Sequence, residues 1–522
     1  MAAPDGEPGP KRTSPAQSRS VARSRESFRT HFCTGLLVLI AIEFFIAPLF
    51  FLLVPSAKED ENFLTIFPME LSGFMHGFAL SNSVDYTFVD VDDFTFSKWR
   101  TNGHTDRRKI KELISRIASD KYNNPKAIIV DIDLSASLAE KSGTDRKLTP
   151  YVERCPEDGV HYPTGDETSN LTPEQALTFY VCEYAGNRDN PPLIFVQSLR
   201  RRPSPFEDGL FELVPLIFEK PKPKYDSPSL IYFATSGFLR SADSTVRSWL
   251  LAEPACDEGD QVKTISSVEL LLLPMRLEND PGEGRFHPDV VNDKVQNFYR
   301  GNCRSVETPM PPEIQLGNQK IRLSSMHLRD RIVYTIKWNP EKKNRLTGRA
   351  HYIIEEKIFE LRRADLNDLF SGRVVIIGGS NDESRDIYNT PYGPMPGAVI
   401  LINAIDSLRV DYQIRELSYW AEKIVSFAIG LIVMVMLEFF LRIEMGPIVY
   451  LLGYVLGVGI SIVFLYFGVW FGVSGVIFGG VAHLIAKGAL DIWEDMKEDP
   501  QHKLRVLLIR QLRHQRDGKS SG

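Results

Sequence analysis

The sequence predicts an α/β domain with a mainly parallel central sheet, held outside a membrane by four transmembrane α-helices. Three observations predict it. Between Glu444 and Lys487 about forty residues pass without one Asp, Glu, Lys or Arg, and a bilayer core asks for about 20 apolar residues per helix. Both tails carry clustered basic residues. The polar stretch between the first two spans holds continuous β-branched runs and an amphipathic helical stripe, the pattern of strands buried on both faces and joined by helices.

The charge-free run divides near the Gly468–Gly472 turn into spans over residues 447–466 and 470–487, and further spans are expected at 32–55 and 421–441. Lys and Arg are retained on the cytoplasmic side. Lys11, Arg12, Arg19, Arg23, Arg25 and Arg29 precede the first span, and Lys503, Arg505, Arg510 and Arg513 follow the last. Four spans therefore put both tails and Arg442 inside, with residues 56–420 outside. The first span exceeds the ~7–15 apolar residues of a signal peptide and is expected to remain as an anchor. Glu43 lies near its middle, and Glu438 lies near the cytoplasmic end of the second span. An ionised carboxylate at such depth costs about 2.5–3.5 kcal/mol. Glu438 can reach towards Arg442, whereas Glu43 is expected to be protonated or bonded to His483 or to a partner. Tail 1–31 reads as disordered. Tail 488–522 carries Leu504, Leu507, Leu508 and Leu512 on one helical stripe beside its basic residues. Such a helix lies on anionic membrane lipid or docks on another protein.

Within the exterior domain, residues 84–91 (VDYTFVDV) alternate like a strand. Ile110, Leu113, Ile114 and Ile117 then form the apolar stripe of a helix. Residues 126–134 (KAIIVDIDL) follow as a buried strand, which makes a strand–helix–strand unit. Further strands are expected at 191–199, 229–233 and 371–379, and an apolar helix or strand–helix element at 398–408. Loop-rich excursions, dense in Pro, Gly, Asp and Lys, occupy 142–170 and 200–226.

Cys155, Cys182, Cys256 and Cys303 all fall in this domain. An oxidising compartment favours bridges among them, and four cysteines allow three connectivities. Cys155–Cys182 and Cys256–Cys303 each close a local excursion and are the favoured pairs; free buried thiols are the alternative. The net charge of −6 combines basic tails with a more acidic exterior, which argues against a nucleic-acid partner. No Gly-x-Gly-x-x-Gly, Walker loop, His-Glu-x-x-His or Gly-x-Ser-x-Gly occurs, so no cofactor and no enzymatic activity are expected.

Several blocks carry a resemblance. Phe88–Asp93 (FVDVDD), Arg107 and Arg108, Ala127–Asp133 (AIIVDID) and Gly237–Leu250 (GFLRSADSTVRSWL) follow in a family order. Gly372–Leu408 (GRVVIIGGSNDESRDIYNTPYGPMPGAVILINAIDSL) is the most specific block. Together they resemble the second class of CHASE domains, the extracytoplasmic sensors of bacterial cyclases and histidine kinases. The resemblance implies one span before the domain and three after it, in a bacterial inner membrane with the domain on the periplasmic side. Relatives usually continue into a kinase or cyclase module, whereas only about 35 residues follow the last expected span, too few for one.

Asp90, Asp92, Asp131 and Asp133 end two strands read as parallel neighbours, so alternate carboxylates are expected to converge at the carboxyl edge of the sheet, where ligands bind in open α/β folds. Hard cations favour such oxygens, although helix capping or pairing with Arg107 and Arg108 is the plainer reading. Asp243, Arg247 and Asp386 stand in the family-like blocks and complete the ligand or cation candidates; the metal, if any, stays open. The expected role is that of a non-enzymatic membrane protein whose exterior domain binds a ligand or partner protein and couples to other membrane or cytoplasmic proteins. A purely structural assembly subunit is the alternative, and a metal-dependent phosphatase-like activity a remote one.

Overall fold

The computed structural model describes residues 85–409, with gaps mainly in the long excursions, and isolated positions on either side. The chain divides into two compact units, one of residues 69–415 and one of 1–68 with 416–522. The second lies almost wholly outside the described residues. The expected spans, both tails, Cys33, Glu43, Glu438 and His483 fall there. Among the described residues no helix is long and apolar enough to cross a membrane.

The described residues of the 69–415 unit form a three-layer α/β arrangement, built in chain order. β1 (Tyr86–Val91) leads into the short α1 (Asp93–Trp99), then α2 (Arg107–Ala118) and β2 (Ala127–Asp131). After a long excursion come α3 (Pro173–Gly186), β3 (Leu193–Val196), β4 (Leu199–Arg201), β5 (Phe211–Leu213) and β6 (Ile231–Ala234). The chain continues through β7 (Phe238–Arg240), β8 (Val246–Trp249), β9 (Ala252–Cys256), β10 (Val262–Ser266), α4 (Val268–Leu272) and α5 (Pro288–Val295). It returns to the main sheet with β11 (Ala350–Ile354), α6 (Glu355–Glu360), α7 (Arg363–Phe370) and β12 (Val374–Gly379). A hairpin of β13 (Ile387–Thr390) and β14 (Gly393–Pro396) then feeds α8 (Gly397–Arg409).

The central sheet has six strands in the order β6-β3-β2-β12-β1-β11, and each neighbouring pair is parallel. Strand alternation sends successive side chains to opposite faces. Phe88, Ile129, Ile194, Tyr232 and Ile376 face one layer, where they cluster with residues of α4, α5 and α8. Val89, Val130, Phe195, Val375 and Ile377 face the other, packed with α2, α3, α6 and α7. The predicted stripe of Ile110, Leu113, Ile114 and Ile117 is fully buried there. A smaller four-stranded sheet, β10-β9-β5-β4, grows out of the end of β3.

Local chemistry sets several boundaries. α3 starts with a capping box: Gln175 N–H donates to Thr172 Oγ1 at 3.2 Å, and Thr172 N–H donates to Gln175 Oε1 at 3.1 Å. Up to Leu408, α8 is apolar except for a buried stripe of Asn403, Asp406 and Ser407. Asn403 Oδ1 accepts from Thr335 N–H at 2.9 Å and Ile336 N–H at 2.8 Å, so a side chain replaces the sheet ladder that this extended segment lacks. Disulfides join Cys155 to Cys182, on α3, and Cys256, at the end of β9, to Cys303. Those are the two pairs favoured from the sequence.

One expectation is corrected. β1 and β2 are not neighbours, because β12 inserts between them, with Gly378 in register with both Asp90 and Asp131. Two strand spacings, about 9.5 Å, therefore separate the two aspartates. A strand arriving from the far end of the chain leaves no local mark on the β1–α2–β2 segment. Gly378 also sets how closely α8 packs, since a Cβ there would lie 2.5 Å from the Cβ of Ala398. Gly378→Ala should force α8 off the sheet and cost about 1–3 kcal/mol, a fall of several degrees in Tm by circular dichroism. An unchanged Tm would show that this contact does not set the spacing.

Candidate functional site

The connection after β2 leads to α3 on one face, and that after β12 leads to α8 on the other. Adjacent parallel strands whose connections diverge open a crevice at their carboxyl ends, the usual ligand position in open α/β sheets. A cleft of about 570 Å³ lies at this edge, within the ~300–1,000 Å³ range of small-molecule sites. Asp131, Ile132 and Asp133 from the end of β2 and Gly379 and Asn381 after β12 line it, with Gln197 after β3 and Thr235 and Ser236 after β6. Glu253 of β9, Asp386 and Tyr388 complete its polar wall.

Each acid is positioned by a different device. Asp386 immediately precedes β13; its backbone carbonyl accepts from Gly397 N–H at 2.8 Å. A side chain on Gly397 would collide with the Asp386 carboxylate, 2.5 Å from Oδ1, so glycine at the start of α8 makes room for it. The Tyr388 hydroxyl donates to Asp386. Glu253 is 4% exposed and accepts from the Thr235 hydroxyl. Its side chain crosses the space that a Cβ on Gly237 would occupy. Asp131 is half-buried, and its carboxylate takes no hydrogen bond among the described residues.

Electrostatics follow from this crowding. Burial disfavours a charged carboxylate, and a second carboxylate nearby disfavours it further. Burial pushes Asp131 up to about 7. Asp386 is held well above its ordinary range by burial first and the Asp131 charge second, against the Tyr388 hydroxyl and Gly397 N–H. Glu253 is raised by burial, eased by Thr235. Behind them Glu269, the second residue of α4, is 1% exposed, and neither carboxyl oxygen has a partner of normal hydrogen-bond geometry. Burial pushes it up to about 7, eased by Ser267 and raised by the Glu253 and Asp131 charges. Such a group shares protons near neutrality and responds to any positive charge brought beside it.

The other sequence candidates do different work. Asp90 is fully buried; its Oδ2 accepts from Ser380 Oγ at 2.7 Å, Tyr352 OH at 2.9 Å and Arg345 Nη1 at 3.4 Å. Burial still raises it to about 6. It pins the loop after β12 to the β11 edge and does not line the cleft. Asp92 caps α1, accepting from Thr95 N–H at 3.0 Å. Asp133 lines the rim, where its Oδ1 accepts from Ser135 N–H at 3.0 Å. Arg247 lies on β8 away from the cleft, and its carbonyl accepts from Ile332 N–H at 2.8 Å. Asp243 falls outside the described residues. Among the described residues no three of His, Cys, Asp and Glu are grouped so as to hold a metal ion. Sequence reasoning missed Glu253 and Glu269, whose neighbours in sequence carry no site pattern.

A family model described as the CHASE2 domain matches residues 48–437, more than half of the chain. The chain belongs to the CHASE2 domain family. CHASE2 is an extracytoplasmic sensor domain, which agrees with the resemblance read in the sequence blocks. Comparison with curated proteins and with solved structures found no match.

The buried acids predict how stability varies with pH. A carboxyl whose folded pKa is raised binds more protons folded than unfolded, so stability is greatest at low pH and falls as pH rises from about 4.5 through 7. For Glu269, pushed from 4.5 to about 7, the loss amounts to at most about 3 kcal/mol. Glu269→Gln should raise Tm at pH 8 and change it little at pH 5. An identical shift at both pH values would mean that Glu269 is not the group whose ionisation destabilises the fold.

Proposed function

We propose that this CHASE2 chain is a non-enzymatic sensory subunit of a bacterial inner membrane. Its large domain faces the periplasm and both termini face the cytoplasm. A small molecule enters the cleft at the carboxyl edge of the sheet, the membrane helices respond, and the basic amphipathic tail passes the change to a cytoplasmic or membrane partner.

The observation that carries this reading is the cleft itself. It sits at the switch point of the sheet, has the volume of a metabolite site, and is lined by carboxyls, amides and hydroxyls. Its described lining combines carboxyl, amide, hydroxyl and aromatic side chains, the mixture with which a pocket orients a small polar ligand. β12 also ties the cleft to α8, the last described helix before the expected second span. A ligand that favours one arrangement of this edge shifts the population of that arrangement.

The test uses the full chain in mild detergent. A library of small metabolites should contain a compound that raises the Tm of the wild type by several degrees. The same compound should leave Ser236→Trp, with its cleft filled, unmoved. A protein that co-purifies in stoichiometric amount with both forms, with no compound raising either Tm, would instead identify an assembly subunit.

A further inference from the structure

We infer that the cleft is selective for a small organic amine in its protonated form; this deepens the sensory reading above and rests on it. Four carboxylates, Asp131, Asp133, Glu253 and Asp386, line the cleft, and no Lys, Arg or His does so among the described residues. An anionic ligand would face this wall with no counter-charge. A neutral polyol would satisfy hydroxyls and amides but would leave the acids unneutralised at the cost of burial.

Two further observations point to a missing cation. Asp131 faces the cleft without a hydrogen bond from any described residue. Glu269 lies behind Asp131 and Glu253 at 1% exposure with neither oxygen in a hydrogen bond of normal geometry, and among the described residues of the lining no cation balances these acids. A compact metal ion does not fit, because the acids are spread around the cleft and not grouped as ligands. An extended organic cation does fit. Its ammonium can meet a carboxylate while its carbon body lies on Phe96, Phe238 and Tyr388, which supply the aromatic part of the lining. Tyr388 already takes a cation on its ring, with the Arg240 guanidinium 5.1 Å from the centroid.

Proton linkage follows. The groups facing Asp131 are Asp386 and Tyr388 from the β13 segment, Glu253 from β9 and Glu269 from α4; Arg240 acts on Tyr388, and Arg107 faces Asp133. Near neutrality the free cleft holds protons on Asp131 and Asp386. A bound ammonium favours the carboxylates, so those protons leave for solvent as the amine enters, and affinity rises with pH until the amine itself deprotonates.

The experiment is calorimetric titration of the full chain in detergent with putrescine, and with butane-1,4-diol, succinate and calcium chloride as controls. Putrescine should bind, release protons at pH 7 when phosphate and Tris buffers are compared, and bind about tenfold more weakly at pH 5 than at pH 8. Asp131→Asn and Asp386→Asn should each weaken it by about tenfold, the size of one charge-assisted bond. Should these variants fail to fold, the proton count and pH dependence of the wild type decide. Binding of the diol or succinate that Ser236→Trp abolishes would overturn the amine and leave the sensory reading standing. Tight calcium binding, or no putrescine binding at millimolar concentration, would overturn the amine and leave the sensory reading to the metabolite library.

Discussion

The placement of β12 between β1 and β2 is the constraint on which the rest of the domain depends. Because the strand is central, both of its faces must be buried, and the run Val374–Gly379 supplies apolar or glycine residues at every position. Gly378 removes the side chain at the point where α8 crosses, so the helix start comes down onto the sheet beside Asp131. The β13–β14 hairpin must then fold over the same edge, and Asp386 arrives with it. One glycine thus determines the distance between an apolar helix and a sheet, and through it the meeting of two acids far apart in the chain.

That meeting has an electrostatic cost, read in the raised pKa of both acids. Asp90, fully buried outside the cleft, accepts from three donors on one of its oxygens. The cleft acids receive less. Glu253 has the Thr235 hydroxyl, Asp386 has Tyr388 and Gly397, Glu269 is eased only by Ser267 and its own backbone N–H, and the Asp131 carboxylate takes no hydrogen bond among the described residues. Unpaired acids weaken a fold that could have used apolar residues of the same size. The presence of Asp131, Glu253 and Asp386 at a ligand-sized opening places part of that cost where an incoming molecule can offset it.

Much of the sheet was legible because strands buried on both faces need continuous apolar runs: residues 126–134, 191–199, 229–233 and 371–379 each hold one. β11 was not legible, since as an edge strand it is only partly buried and reads AHYII between charged segments. α3 escaped notice although its Thr172-Pro173-Glu174-Gln175 start is a capping signature; its apolar residues do not form a clean stripe. The order of strands was hidden, because no local pattern announces that β12 enters between β1 and β2. For the same reason the aspartates at strand ends could be listed but not sorted into the cap (Asp92), the core anchor (Asp90) and the cleft acid (Asp131). Asp386 was visible only through the family-like block, and Glu253 and Glu269 depend on a long-range approach of β9 and α4 that no spacing encodes.

The cleft depends on Asp131 and Asp386 being brought together at the sheet edge, partly shielded from water. Carboxyl-carbon NMR of the chain labelled with 13C at aspartate, assigned with Asp131→Asn and Asp386→Asn, tests this most directly. Asp131 should titrate with a midpoint of about 7, and loss of Asp131 should lower the midpoint of Asp386. If both titrate independently at about 4, as exposed aspartates do, the two groups are solvated and apart, and the cleft described here does not exist in solution.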